Sequence, residues 1–377
     1  MNASAGLASD APAKNTAAFS WRSIRLLAFP LSTNIWPLLL FFSQKVFVIP
    51  GLILVGIGDA SYRRDLLIAF GISIVGLLVY FFQYGNPYDQ THLLGFIFFV
   101  WSMPLINHAV RYDSLLLRRV LTYLTLFNAL MGFYLLVSSV DLYGLRGLNR
   151  VEGSDGITYR IYFEASSLAA VFLLSSFRNR WVRLAALGAV AIFVVFVAKS
   201  VVIMALLGLN LALPYLLRSR PHIKVGAAII AVTAIILLYN YLPIIRPDMD
   251  LSLRAKQFQF NIIMGLLPDN WSGLGWGFYM PQLSSDPEQP YQVEMQLPML
   301  MLQLGPIALL TILLLILSLF LSVSGWTLKG FARFAVYVLI GYNNPWLFVP
   351  SWFLTCQLLF RDDDEVRRST VPRVPSR

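Results

Sequence analysis

Long apolar runs separated by short polar or basic connections dominate the chain. Such runs cover residues 24–42, 45–58, 66–83, 92–108, 118–139, 160–177, 181–198, 200–217, 225–242, 297–323, 330–344 and 346–360. Most approach the roughly 20 apolar residues that a helix needs to cross a bilayer. The pattern predicts an all-α, polytopic membrane protein with about twelve transmembrane helices. Polar tails at 1–22 and 361–377 flank two membrane blocks, 23–242 with nine helices and 297–360 with three.

The remaining stretch, 243–296, is a connection of over fifty residues, far beyond ordinary loop lengths and therefore expected to be functional or disordered. Its composition favours order, with Trp271, Trp276, Phe278, Tyr279 and Tyr291. It also holds the apolar segment LSLRAKQFQFNIIMGLL (251–267), which ends at Pro268. At 100° per residue, Arg254, Gln257 and Asn261 fall within about 60° of one another. The spacing predicts a helix with one narrow polar stripe.

Composition agrees. Of 377 residues, 58% are hydrophobic and 13% charged, where a soluble domain carries about a quarter charged residues. Mean hydropathy is +0.68. The net charge of +10 is scattered between apolar runs, which points to topology rather than nucleic acid. With a cytoplasmic N-terminus, every second connection carries basic residues: Arg63-Arg64, Arg111 with Arg118-Arg119, Arg178 with Arg180, Arg218 with Arg220 and Lys224, and Lys329 with Arg333. That is the bias expected of cytoplasmic loops, and it places both termini inside and 243–296 outside. The single cysteine, Cys356, excludes an internal disulfide framework. His92, His108 and His222 have no ligand spacing, so no metal site or cofactor is expected.

Charges at a membrane border are costly and are candidates for function. Arg160 and Glu164 stand four apart at the start of an expected helix, on one face; they suit either an interhelical salt bridge or a substrate site. Lys199, between two apolar runs, either snorkels to headgroups or meets a phosphate. Arg254 either anchors to lipid phosphates or grips an anion with two hydrogen bonds. Gly273, Gly275 and Gly277 in NWSGLGWGFY read as a tight turn under Trp276, or as part of a sugar platform. Glu294 precedes the apolar run from 297, either as a carboxylate complementing the helix dipole or as a base, with Tyr291, Gln292, Gln296 and Gln303 around it.

Four stretches together resemble the bacterial O-antigen and exopolysaccharide polymerase family, whose relatives include the O-antigen ligases. They are RIYFEASSLAAVFLL (160–174), LSLRAKQFQFNIIMGLL with GLGWGFY, VEMQLPMLMLQLGPIALL (293–310) and NNPWLFVPSWF (343–353). The resemblance implies a metal-independent glycosyltransferase-type enzyme at the periplasmic face of the bacterial inner membrane. It would join undecaprenyl-pyrophosphate-linked oligosaccharide units, alongside a flippase and a chain-length regulator in the same membrane. In that setting Glu294, Arg254 and Arg160 take catalytic roles, and Lys199, Glu164, Gln257, Trp276 and Tyr291 bind substrate. Ligases usually carry a histidine in the large outer loop; 243–296 has none, which tilts the resemblance toward polymerases. A ligase-type glycan transferase and a transporter of lipid-linked sugars remain the alternatives.

Overall fold

The computed structural model describes residues 60–82, 91–138, 148–153, 156–161, 164–227, 229, 233, 240, 249–278, 280, 295–343 and 346–361. The expected segments 24–42, 45–58 and two thirds of 225–242 lie outside these residues, as do both terminal tails apart from Arg361.

The described residues are predominantly helical. In chain order they form α1 (Ala60–Phe82), α2 (Thr91–Ser138), a hairpin of β1 (Leu148–Gly153) and β2 (Gly156–Ile161), and a 3-10 helix at Glu164–Val171. There follow α3 (Arg180–Ile192), α4 (Val201–Arg218), α5 (Met249–Leu266), α6 (Gln296–Leu304), α7 (Pro306–Ser324), α8 (Leu328–Asn343) and α9 (Pro350–Leu358). Five stretches are long and apolar enough to cross a membrane: Tyr62–Phe82, His92–Arg111, Ser114–Val137, Arg180–Val197 and Pro306–Ser324. Their outward sides carry Leu67, Phe70, Phe82, Phe127, Leu130, Ile307 and Leu310, a surface suited to lipid chains.

Local chemistry explains most boundaries. Asn179 caps α3 by accepting the Trp181 N–H at 2.8 Å, satisfying an orphan donor of the first turn. α3 runs on into a π-helical turn, Phe193–Val197, and the chain then reverses through Lys199 at φ +47°. Pro306 and Pro350 open α7 and α9, where a missing N–H costs nothing.

Three expectations are corrected. The apolar run 297–323 is two helices: Gly305, at φ +78°, and Pro306 break it. The expected membrane helix at 160–177 is instead the end of β2 followed by the 3-10 helix. Arg160 therefore pairs across the hairpin with Asn149, and Glu164 opens the 3-10 helix, so the two do not share an α-helical face. Finally, Arg111, Arg118 and Arg119 lie within the helical stretch of α2 rather than in a loop.

The first half of α2 is the spine, with 72% of His92–Arg111 buried. Around it pack α1, α7, α9 and the 3-10 helix. The sequence EASSLAAV explains why a 3-10 segment fits there, since its small side chains let α9, α2 and α4 approach closely. Ser167 accepts a hydrogen bond from Thr355 at 3.4 Å, and the Leu173 N–H donates to Thr122 at 3.0 Å. Aromatic rings fill the space between helices: Phe99, Phe320 and Tyr337 each meet Phe353 with centroids 5.5–6.2 Å apart and planes steeply crossed, the edge-to-face geometry that ring quadrupoles favour.

Candidate functional site

Two polar regions emerge, separated along α1. The first is built on α5. Its Ile263 and Leu267 pack with Met280, Met295, Met299 and Leu302 in a cluster of their own. Arg254, Gln257 and Asn261 are all exposed, so the expected stripe faces away from the protein core. Gln259, on the other side, is buried and accepts the Met295 N–H at 3.4 Å.

The glycine loop after α5 is clasped to the break between α6 and α7. Leu274 N–H donates to Leu302 O at 2.8 Å, and Gly275 N–H to Gln303 O at 2.9 Å. The Gln303 side chain returns a bond to Phe278 O at 2.7 Å. Gly273 has φ +86°, and a Cβ there would stand 2.5 Å from Gln303 O and 2.6 Å from Gly305 N. Gly305 is its counterpart: a Cβ would stand 2.6 Å from Trp271 O. Two backbones touch where a side chain has no room. Gln296, another of the glutamines around the apolar run, accepts the Leu347 N–H at 2.7 Å. Gln303 therefore holds the loop, while Gln296 ties α6 to the connection ahead of α9.

Trp276 is corrected as a sugar platform. It is 1% exposed, its ring lies 4.8 Å from that of Phe96, and its Nε1–H donates to Gly76 O at 2.8 Å. It bolts the loop to α1. Among the described residues of this loop, the exposed ring is Trp271.

Lys199 is half-buried in the turn between the π-helical segment and α4. β2, which carries Arg160, packs beside that π-helical segment. Arg160, Glu164 and Lys199 thus belong to neighbouring elements, whereas Arg254 and Gln257 ride on α5, which packs on α6. Glu294 and Tyr291 lie outside the described residues.

The second region centres on a buried carboxylate and was missed by sequence reasoning. Asp65, 0% exposed, receives Arg111 Nη2 at 2.8 Å and Asn107 Nδ2 at 3.1 Å, both on Oδ2. Arg111 also donates to Ser322 Oγ at 2.7 Å. Gln357 donates to Asn107 Oδ1 at 3.3 Å and to Phe320 O at 3.1 Å, and accepts from Ser324 Oγ at 2.7 Å. Four helices (α1, α2, α7 and α9) meet in this network. A buried ion pair keeps its charges only with such additional hydrogen bonds, and an ionisable pair inside a membrane bundle is a candidate for function. Tyr62, one turn from Asp65, stands edge-on to His108 with centroids 5.9 Å apart.

At the same end, Arg333, 0% exposed, donates from Nε to Leu359 O at 2.6 Å and from Nη2 to Phe360 O at 3.3 Å. Arg118 donates to Arg361 O at 3.1 Å. These arginines satisfy the carbonyls of Leu359, Phe360 and Arg361, just past the end of α9. No protein-family model, curated protein or solved structure matches the chain.

Proposed function

We propose that the chain is a membrane glycan polymerase. It joins undecaprenyl-pyrophosphate-linked oligosaccharide units at the periplasmic face of a bacterial inner membrane, within a bundle of about twelve helices whose termini are both cytoplasmic. The observation that supports this reading most is α5, docked through its apolar side and presenting Arg254, Gln257 and Asn261 outward. A cationic, hydrogen-bonding stripe flanked by the exposed apolar side chains of Leu253, Phe258 and Met264 suits an anion tethered to lipid.

In this reading an acceptor sugar hydroxyl attacks the anomeric carbon of the growing glycan. The new C–O bond forms as the bond to pyrophosphate breaks. Arg254, with Arg160 and Lys199 on the other elements, balances the charge of the departing pyrophosphate. Glu294 takes the hydroxyl proton. Gln257, Glu164 and Tyr291 orient the sugars, while Trp276 acts from behind by fixing the loop.

The test is complementation of a polymerase-deficient strain with polymer-length analysis at matched protein levels. Arg254→Ala and Glu294→Gln should abolish long chains and let lipid-linked single units accumulate at the outer face. Arg254 is exposed, so its loss should leave stability within about 0.5 kcal/mol. Full-length polymer from both variants would overturn the site assignment. The buried Asp65–Arg111 pair favours one second reading, a transporter of lipid-linked sugars. In that case the variants' single units would fail to reach the outer face.

A further inference from the structure

The Asp65 network leaves two polar atoms over. Asp65 Oδ1 and the Tyr62 hydroxyl are both enclosed, and neither has a hydrogen-bond partner among the described residues. The residues are three apart on α1, hence on one face, and each is 0% exposed. The Arg64 guanidinium comes within 3.7 Å of Oδ1, beyond hydrogen-bond reach, with its side chain 62% exposed. A carboxylate oxygen and a phenol enclosed together are costly unless something bonds to them.

We propose that Tyr62 and Asp65 form a binding site for one small neutral hydrogen-bond donor of the water or hydroxyl class. Charge decides the class. Arg111 already balances Asp65 at 2.8 Å, so a metal ion or ammonium group would leave the interior with excess positive charge. An anion would face the bare carboxylate oxygen. A neutral O–H donates to Oδ1 and accepts from the Tyr62 hydroxyl, closing the network that begins at Ser324 and Gln357. The site lies among α1, α2 and α7, remote from the glycine loop, and does not depend on the glycan reading.

Tyr62→Phe tests it, because the sign of the effect discriminates. A dry, unpaired hydroxyl is a liability, and its removal would leave the melting temperature unchanged or raise it. A hydroxyl that holds a bound donor is an asset, and its removal should lower the melting temperature of the nanodisc-embedded protein by about 2 °C or more. The second measurement is a density map that resolves ordered water, recorded in nanodiscs of two lipid compositions. One isolated peak within about 3.2 Å of both oxygens in both lipids identifies water. Density that continues into a larger molecule identifies a lipid or sugar hydroxyl. An empty site, or a melting temperature that does not fall, overturns the proposal.

Discussion

Gly273→Ala should loosen the glycine loop as a unit. The residue's φ of +86° and the backbone atoms 2.5–2.6 Å from a would-be Cβ leave no room for a methyl group. A left-handed conformation costs a residue with a side chain about 1–2 kcal/mol. Relieving the overlap means separating the loop from Leu302–Gly305, all of it backbone and none able to rotate aside. The bonds at risk are Leu274 N–H to Leu302 O and Gly275 N–H to Gln303 O, worth about 1 kcal/mol each. The sum is about 3–4 kcal/mol. Since a larger chain spreads its unfolding entropy over more residues, this corresponds to a drop of about 3–5 °C in melting temperature. Hydrogen exchange should rise across 271–278 while α7 keeps its protection. Gly265→Ala is the matched control: nothing lies within 4 Å of its added Cβ, and in helix α5 alanine gains about 0.5–1 kcal/mol over glycine. If Gly273→Ala melts with the wild type and its loop exchanges no faster, the clasp is not what orders the loop.

Asp65→Ala should destabilise by about 3 kcal/mol, the lower end of the range for an orphaned buried charge, because the Arg111 side chain keeps 18% exposure. In a thermal double-mutant cycle, Asp65→Ala with Arg111→Met should cost less than the two single changes added together; additive costs would refute the coupling. Trp276→Phe keeps a ring against Phe96 but leaves Gly76 O without the indole donor. It should cost about 1 kcal/mol and speed exchange in the loop more than in α1, as read by hydrogen-exchange mass spectrometry.

Much of the helical layout was legible because it follows local rules. The paired apolar runs around Lys199 became the α3 and α4 stretches, and the polar stripe of α5 followed from its 100° spacing. Other features had local signals that were outweighed. Gly305-Pro306 is a stop followed by a start, but the apolar run on both sides reads as one span. GITYRI alternates apolar and polar side chains, and GSDG before it is a turn sequence; the apolar LAAVFLL that follows pulls the whole stretch toward helix. The Asp65 network had no local signal. Its partners stand 42 residues away in Asn107 and, for Asn107 itself, 212 and 250 residues away in Leu319 and Gln357. Arg63, Arg64 and Arg111 read alike as topology-setting cations, yet Arg111 closes to 2.8 Å on the buried carboxylate while Arg64 stays 3.7 Å away with its side chain 62% exposed.

That close contact changes what α1 does in the molecule. Asp65 and Gly76 are eleven residues apart, about 16 Å along a helix. At the first position α1 is tied to α2 by an ion pair, and through Asn107 and Arg111 to α7 and α9. At the second, its Gly76 carbonyl takes the bond from Trp276 of the loop. Gly76 itself leaves space for Phe96, whose ring lies 2.9 Å from the position a Cβ would occupy. The glycine loop that follows α5 thus hangs from a helix fixed at both places, on a frame of packed helices. Under the proposed function, a stripe held this way would meet its anion in a set geometry, with little of the binding energy spent on ordering the loop.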